Sequence, residues 1–142
     1  MGKRRKTGKK TLIFRPYITR GIGIGAKVKI ADNSGAKEGK LIGVMHLSTR
    51  LNRFPAATVG DIVTLSIRKG TPEMRRQKLR GIIVRQKQFI HRPDGTRIQF
   101  EDNAAVIVTP DGEPKGSEIR GPIAKEATDL HPRLAGVASI II

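Results

Sequence analysis

From Ala26 onward the chain alternates apolar and polar positions in short runs. In AKVKIAD, Val28 and Ile30 alternate with Lys27 and Lys29, and Asp32, Asn33, Ser34 and Gly35 supply turn chemistry directly afterwards. KLIGVMHL sets Leu41, Gly43, Met45 and Leu47 against Ile42, Val44 and His46, and DIVTLSIRKG sets Val63, Leu65 and Ile67 against Thr64, Ser66 and Arg68. A period of two sends successive side chains to opposite faces, so each run predicts a strand with one apolar face. Two further strands are predicted in GIIVRQK and over Thr96 to Val108, joined through Arg92, Pro93, Asp94 and Gly95. Proline fixes φ for the second position of a turn, Asp tolerates the left-handed region and Gly accepts positive φ, so RPDG has a mechanism as a turn.

Five short strands at hairpin spacing, with few helical patterns between them, predict a mainly β fold: a curved antiparallel sheet forming a small five-stranded closed β-barrel. Closure also removes the open edges that invite aggregation. After Pro110 the character changes to PDGEPKGSEIRGPIAKEATDLHPRLAGVASIII. Two short helices are predicted there, over about 122–130 and 132–139, each with a proline at its start. The apolar end, Ile140 to Ile142, is expected to be buried. The organisation is thus a basic N-terminal arm over 1–20, a barrel body over 21–110, and a C-terminal region of loops and short helices over 111–142 in the same domain. A chain of 142 residues suits one domain, and folding at that size buries about 70% of the surface of the unfolded chain.

Charge turns this scaffold into a functional expectation. There are 28 Lys and Arg against 12 Asp and Glu, a net charge of +16. Self-repulsion on that scale disfavours the compact state unless a polyanion neutralises it. Ten basic residues and no acidic one lie between Met1 and Lys29, and ten more lie between Arg68 and Arg97 against only Glu73 and Asp94. From Ile98 onward there are four basic and seven acidic residues. Two basic blocks and a mildly acidic end suggest one face for a polyanion and another for something else. The candidate phosphate contacts are Lys3, Arg4, Arg5, Lys6, Lys9, Lys10, Arg15 and Arg20 in the arm and Arg68, Lys69, Arg75, Arg76, Lys78 and Arg80 in the segment RKGTPEMRRQKLRG. Arg50 and Arg53 in STRLNRFPAATVGD, and Arg92 and Arg97 flanking the turn, complete the set. Guanidinium groups clasp phosphates bidentately, so a basic loop between rigid strands makes a backbone clamp.

Other chemistries find little footing. The absence of cysteine removes disulfides and thiolate sites and is compatible with a reducing, cytoplasmic setting. His46, His91 and His131 have no zinc-ligand spacing, so no metal or cofactor is expected. His91 and Asp94 could be imagined as a base and its orienter, but a hairpin tip excludes no water and no nucleophile motif accompanies them. GIGIGAK has neither dinucleotide-binding nor Walker spacing. No apolar run approaches the roughly 20 residues of a membrane span, and the basic N-terminus lacks a secretory pattern. The five aromatics, Phe14, Tyr17, Phe54, Phe89 and Phe100, form no stacking ladder along a strand. Recognition through backbone and shape, as suits folded RNA, remains.

The span GIIVRQKQFIHRPDGTRIQFEDNAAVIV resembles the signature of the universal large-subunit ribosomal protein family numbered fourteen. The matching elements are Gly81 with Ile82, Ile83 and Val84, then Asp94 and Gly95, then Phe100, Asn103, Val106 and Ile107. ADNSGAK at Ala31 to Lys37, VGDIV at Val59 to Val63 and IRGPIAKE at Ile119 to Glu126 also resemble the family, and the basic arm resembles its archaeal or eukaryotic branch. The resemblance implies a five-stranded barrel bound to large-subunit rRNA at the subunit interface, in contact with small-subunit rRNA through intersubunit bridges. It further implies neighbours from ribosomal protein families three and, of the eukaryotic type, twenty-four, and a C-terminal surface that receives an anti-association factor. The mixed-charge stretch from Glu113 to Asp129, with Glu118, Ile119 and Glu126, is the candidate protein-facing surface. The competing expectation is a free RNA-binding β-barrel module, a translation factor or RNA chaperone. An RNA hydrolase using His91 and Asp94 and a peripheral membrane binder stand further off.

Overall fold

The computed structural model describes residues 18–45, 47 and 49–142. The arm contacts Lys3, Arg4, Arg5, Lys6, Lys9, Lys10 and Arg15 lie outside the described residues. In chain order the elements are β1 (Ile22–Gly23), β2 (Lys27–Ile30), β3 (Ala36–Val44), β4 (Ala56–Ala57), β5 (Ile62–Gly70), β6 (Lys78–Arg85), β7 (Ile90–His91), β8 (Arg97–Ile98), β9 (Ala104–Val108), β10 (Ile119–Ile123), α1 (Lys125–Leu130), a 3-10 turn (Pro132–Gly136) and β11 (Ala138–Ile141).

Five of these strands close into the expected barrel in the order β2-β3-β5-β6-β9. The expected all-antiparallel pairing fails at one seam, where β2 runs parallel to β9 with Lys29 opposite Ala104. Parity explains this: an odd number of strands cannot alternate in direction all the way round. Register shifts within the β3·β5 and β6·β9 pairs bend the sheet towards closure.

Of the predicted faces, Val28, Leu41, Val63, Leu65 and Ile67 are in the core, whereas Ile30, Gly43, Met45 and Leu47 are half-buried. A register shift between Leu41 and Gly43 breaks the alternation in β3, and Val44 packs against the core instead. By contrast β9 is buried at every position, and so are Gly81 to Val84 of β6. These two strands are continuous apolar runs because both of their faces are covered. The interior lies on one side, and Ile119, Ile123, Ala124, Ala127 and Leu134 of the C-terminal segment join the same core from outside. Within the narrow interior two glycines make room for Leu65. A Cβ on Gly81 would lie 3.0 Å from Leu65 Cδ1, and one on Gly39 would lie 3.3 Å from Leu65 Cβ.

The C-terminal half corrects several expectations. The strand predicted over Thr96 to Val108 is divided: Arg97–Ile98 pairs with Ile90–His91 in a separate ribbon, and only Ala104–Val108 enters the barrel. The polar corner between them is fixed by its own bonds, with Asn103 Oδ1 accepting from Lys87 N at 2.8 Å and Asp102 paired to Arg85 at 2.9 Å. The first helix begins at Lys125 rather than Pro122, since Pro122 belongs to β10 and faces Ile140 in a parallel pair with β11. The second is a five-residue 3-10 turn with Pro132 at its start. Ile140, Ile141 and Ile142 remain 55%, 45% and 47% exposed, because β11 is held by its backbone to β10 and nothing described covers its side chains.

Candidate nucleic-acid interface

Strand register sorts the connections into two ends of the barrel. Gly70 lies opposite Ala36 and Lys78 opposite Ser66, so the β5–β6 loop leaves from one end, together with the Asp32 turn and the exit of β9. Val44 lies opposite Val63 and Arg85 opposite Ala104, so the β3–β4 connection and the β7–β8 ribbon leave from the other. The cations therefore depart from both ends, and the single basic face expected from the charge blocks is not how they are arranged.

At the first end the loop is held, not floppy. Met74 is buried and pins it to the core. Met74 N and Arg75 N donate to Thr71 O at 3.0 and 3.1 Å, Arg76 N donates to Ile67 O at 3.0 Å, and Thr71 N donates to Gly35 O at 3.1 Å. Arg68, Lys69, Arg75, Arg76, Lys78 and Arg80 are all exposed around this frame. Lys69 stands 3.5 Å from Glu38, and Arg80 reaches Pro110 O at 3.4 Å. Among the described residues, Arg68, Arg75, Arg76 and Lys78 meet no carboxylate. Exposed cations without internal counter-charges, carried on a loop whose backbone is held, are available to phosphate oxygens.

At the second end Arg20, Arg50, Arg53 and Arg97 are exposed. The root of the arm is anchored by Gln86, a fully buried side chain that sequence reasoning passed over. Its Nε2 donates to Thr19 O at 3.2 Å and to Gln88 O at 3.3 Å, while its Oε1 accepts from the Thr58 hydroxyl at 3.0 Å. A buried amide that satisfies both ends of its polar group costs little, and here it holds Thr19 against the barrel.

Not every cation of the second basic block is available. Arg85 pairs with Asp102 and donates through Nη1 to Arg120 O at 3.0 Å and Pro122 O at 3.1 Å, tying β6 to β10. Arg92 and Glu126, expected on different surfaces, meet each other: Arg92 Nε donates to Glu126 Oε1 at 2.8 Å, and Nη2 reaches Oε2 at 3.3 Å. The same Nη2 donates to a backbone oxygen of Ile142 at 2.6 Å. The hydrogen bond that Arg92 donates to Glu126 is the main cause that raises the Arg92 pKa above its ordinary value, so this guanidinium is charged and committed.

The turn residues behave as their chemistry suggested. Asp94 Oδ1 accepts from the Thr96 hydroxyl at 2.7 Å and from Thr96 N at 2.9 Å, and Gly95 takes φ of 89°. Those two bonds hold the Asp94 carboxyl below its usual range. Asp94 builds the turn and does not orient His91, which is exposed on the ribbon.

The proposed protein-facing group divides too. Ile119 is 1% exposed, so its side chain faces the protein's own core and cannot face a partner. Glu113, Glu118 and Asp129 are exposed, with Glu113 paired to Arg133 at 3.0 Å. The ADNSG turn organises this side. Asp32 Oδ2 accepts from Ile107 N at 2.9 Å, and Asn33 Oδ1 accepts from Ser117 N at 2.9 Å, fixing the C-terminal segment against the barrel.

The family model described as Ribosomal protein L14p/L23e matches residues 21–142. The chain belongs to this family. The Large ribosomal subunit protein uL14 of Thermofilum pendens is 53% identical over 139 residues, covering 96% of this chain and 99% of its own. That of Cenarchaeum symbiosum is 48% identical over 141 residues, covering 99% and 98%. That of Pyrobaculum arsenaticum is 51% identical over 142 residues, covering 97% and 99%. These relatives are archaeal, in agreement with the branch that the basic arm resembles. The matched region takes in the β5–β6 loop, the cations of the second end apart from Arg20, and the C-terminal segment.

Proposed function

We propose that this chain is a structural, non-enzymatic constituent of the large ribosomal subunit in the cytoplasm, and that it binds large-subunit rRNA directly. Its cations neutralise phosphates where RNA segments converge, and the rigid barrel fixes the spacing between the two basic ends. The observation that carries this reading is the pinned β5–β6 loop, whose Arg68, Arg75, Arg76 and Lys78 are exposed with no carboxylate partner among the described residues. Membership of the family and the names of its relatives support the same reading. A position at the subunit interface, contacts to small-subunit rRNA in intersubunit bridges, and neighbours from ribosomal protein families three and twenty-four belong to this proposal. The exposed carboxylates Glu113, Glu118 and Asp129 are the part offered to proteins, an anti-association factor included.

Sedimentation separates this from a free RNA-binding module. The chain should stay with large subunits through a gradient at moderate salt, whereas an exchanging translation factor or chaperone would leave them. Affinity for large-subunit rRNA fragments should fall with salt. If about eight phosphates are neutralised, log affinity against log salt has a slope of about −6 with the single-strand coefficient. A slope near zero would remove the electrostatic basis of the role.

A further inference from the structure

The connection from β3 to β4 carries Leu51 and Phe54, each 88% exposed, whereas Phe89 is 42% exposed and Phe100 is buried. Single exposed apolar residues are ordinary, but the surroundings of Phe54 are not. Arg53 N donates to Arg50 O at 3.0 Å, and Asn52 takes φ of 63°, in the left-handed region, so the chain turns tightly just before the ring. Phe54 then lines an open cleft of about 350 Å³ together with Arg20, Thr49 and Arg53. Among the described residues, neither Arg20 nor Arg53 meets a carboxylate. The cleft therefore combines an exposed aromatic ring with two guanidiniums that meet no carboxylate among the described residues.

We propose that this cleft holds one unpaired nucleotide of RNA, its base stacked on the Phe54 ring and its phosphate met by Arg20 and Arg53. The proposal rests on the RNA-binding role above and adds a second mode to it. Stacking on an aromatic side chain requires a base taken out of its own stack, so the occupant is a bulged, looped or terminal nucleotide, not a paired one. A ring with adjacent guanidiniums suits that ligand on both counts: the π-face takes any base, and planar Arg groups take phosphate or stack in turn. An apolar protein anchor would leave both charges unanswered. The volume lies within the range of about 300–1,000 Å³ typical of small-ligand sites.

Two RNA hairpins with the same stem test this, one fully paired and one carrying a single bulged 2-aminopurine, each titrated with the full chain. The bulged hairpin should bind about tenfold tighter, with quenching of the 2-aminopurine fluorescence as it stacks. Phe54→Ala should remove both the preference and the quenching, Phe54→Trp should keep both, and Leu51→Ala should change neither. Phe54 is so exposed that these variants should keep the fold, and circular dichroism with melting of each will verify it. Equal affinity for the two hairpins without quenching, or quenching that survives Phe54→Ala, overturns the stacking site while leaving phosphate neutralisation standing. Loss of salt-dependent binding to both hairpins would overturn that role and the site with it.

Discussion

Asp94 and Thr96 show how one turn signal becomes a measurable charge effect. Two donors from Thr96 stabilise the Asp94 carboxylate, so its folded-state pKa lies below the ordinary value of about 3.9. The sign follows from linkage: a depressed carboxyl adds stability that is present above the unfolded pKa and is lost as pH falls through the folded one. Thr96→Val removes the hydroxyl donor and leaves the amide, so the Asp94 titration followed by carbon NMR should move up towards the ordinary value. An unchanged midpoint would mean the hydroxyl bond is not formed in solution. A second residue-scale effect sits inside the barrel, where Gly81 leaves space for Leu65. Gly81→Ala puts a methyl 3.0 Å from Leu65 Cδ1 and 3.2 Å from Val106 O, and such overpacking costs about 1–3 kcal/mol. Leu65→Ala alone should cost about 2–5 kcal/mol through the cavity it leaves. Because the two share one space, the double variant should be less destabilised than the sum, as denaturant unfolding would show. Strict additivity would separate the sites. At this scale RPDG was legible in the sequence because each of its residues acts locally. The commitment of Arg92 to Glu126 was not, since the partners are 34 positions apart and only the fold brings them together.

Elements were legible where one face alone is buried. Val63, Leu65 and Ile67 alternate because the other face of β5 is less buried, so period two survives into the structure. Along β9 the signal identifies a fully covered strand but not its start, because Thr96 to Asn103 reads as a continuation and becomes a ribbon and a corner. Proline misplaced the first helix for a related reason: it is as acceptable in the short strand β10 as at a helix start, and tertiary pairing with β11 decided. The β7–β8 ribbon has just two paired positions, so its order depends on something outside it. We assign that support to Arg92, whose bonds reach Glu126 of α1 and the backbone of Ile142. Its side chain is 20% exposed and that of Glu126 12%, between a surface pair worth about 0–1 kcal/mol and a buried one whose breaking costs about 3–5 kcal/mol. Arg92→Ala should therefore cost about 1–3 kcal/mol, and Arg92→Lys should recover little of it because an ammonium cannot bridge both carboxylate oxygens. Hydrogen exchange will show where the loss falls. The Arg92 and Ile142 amides should lose protection while those of β5 and β6 keep theirs; uniform loss would mean the pair supports the barrel itself.

For the whole molecule, composition announced a polyanion partner but not its arrangement, because which loops share an end depends on strand order and register. That arrangement makes two effects of salt run in opposite directions. In the free chain a net charge of +16 repels itself, and raising ionic strength from 0.1 to 1 M shortens the screening length from about 10 to 3 Å. Added potassium chloride should thus raise the melting temperature of the isolated protein while lowering its affinity for rRNA. The two basic ends can be tested separately against that background. Replacing Arg75, Arg76 and Lys78 with Ala at one end, or Arg20, Arg50 and Arg53 at the other, removes three exposed cations each time. If each cation neutralises one phosphate, either triple variant should flatten the salt slope by about 2. Both variants should also melt higher than the parent at low salt, since each lowers the self-repulsion without touching the core. An end whose removal leaves the slope unchanged does not meet RNA. If both slopes flatten by similar amounts, the barrel is a spacer holding two phosphate clamps at a fixed separation, and lengthening the β5–β6 loop with glycines should then weaken binding although every cation is retained.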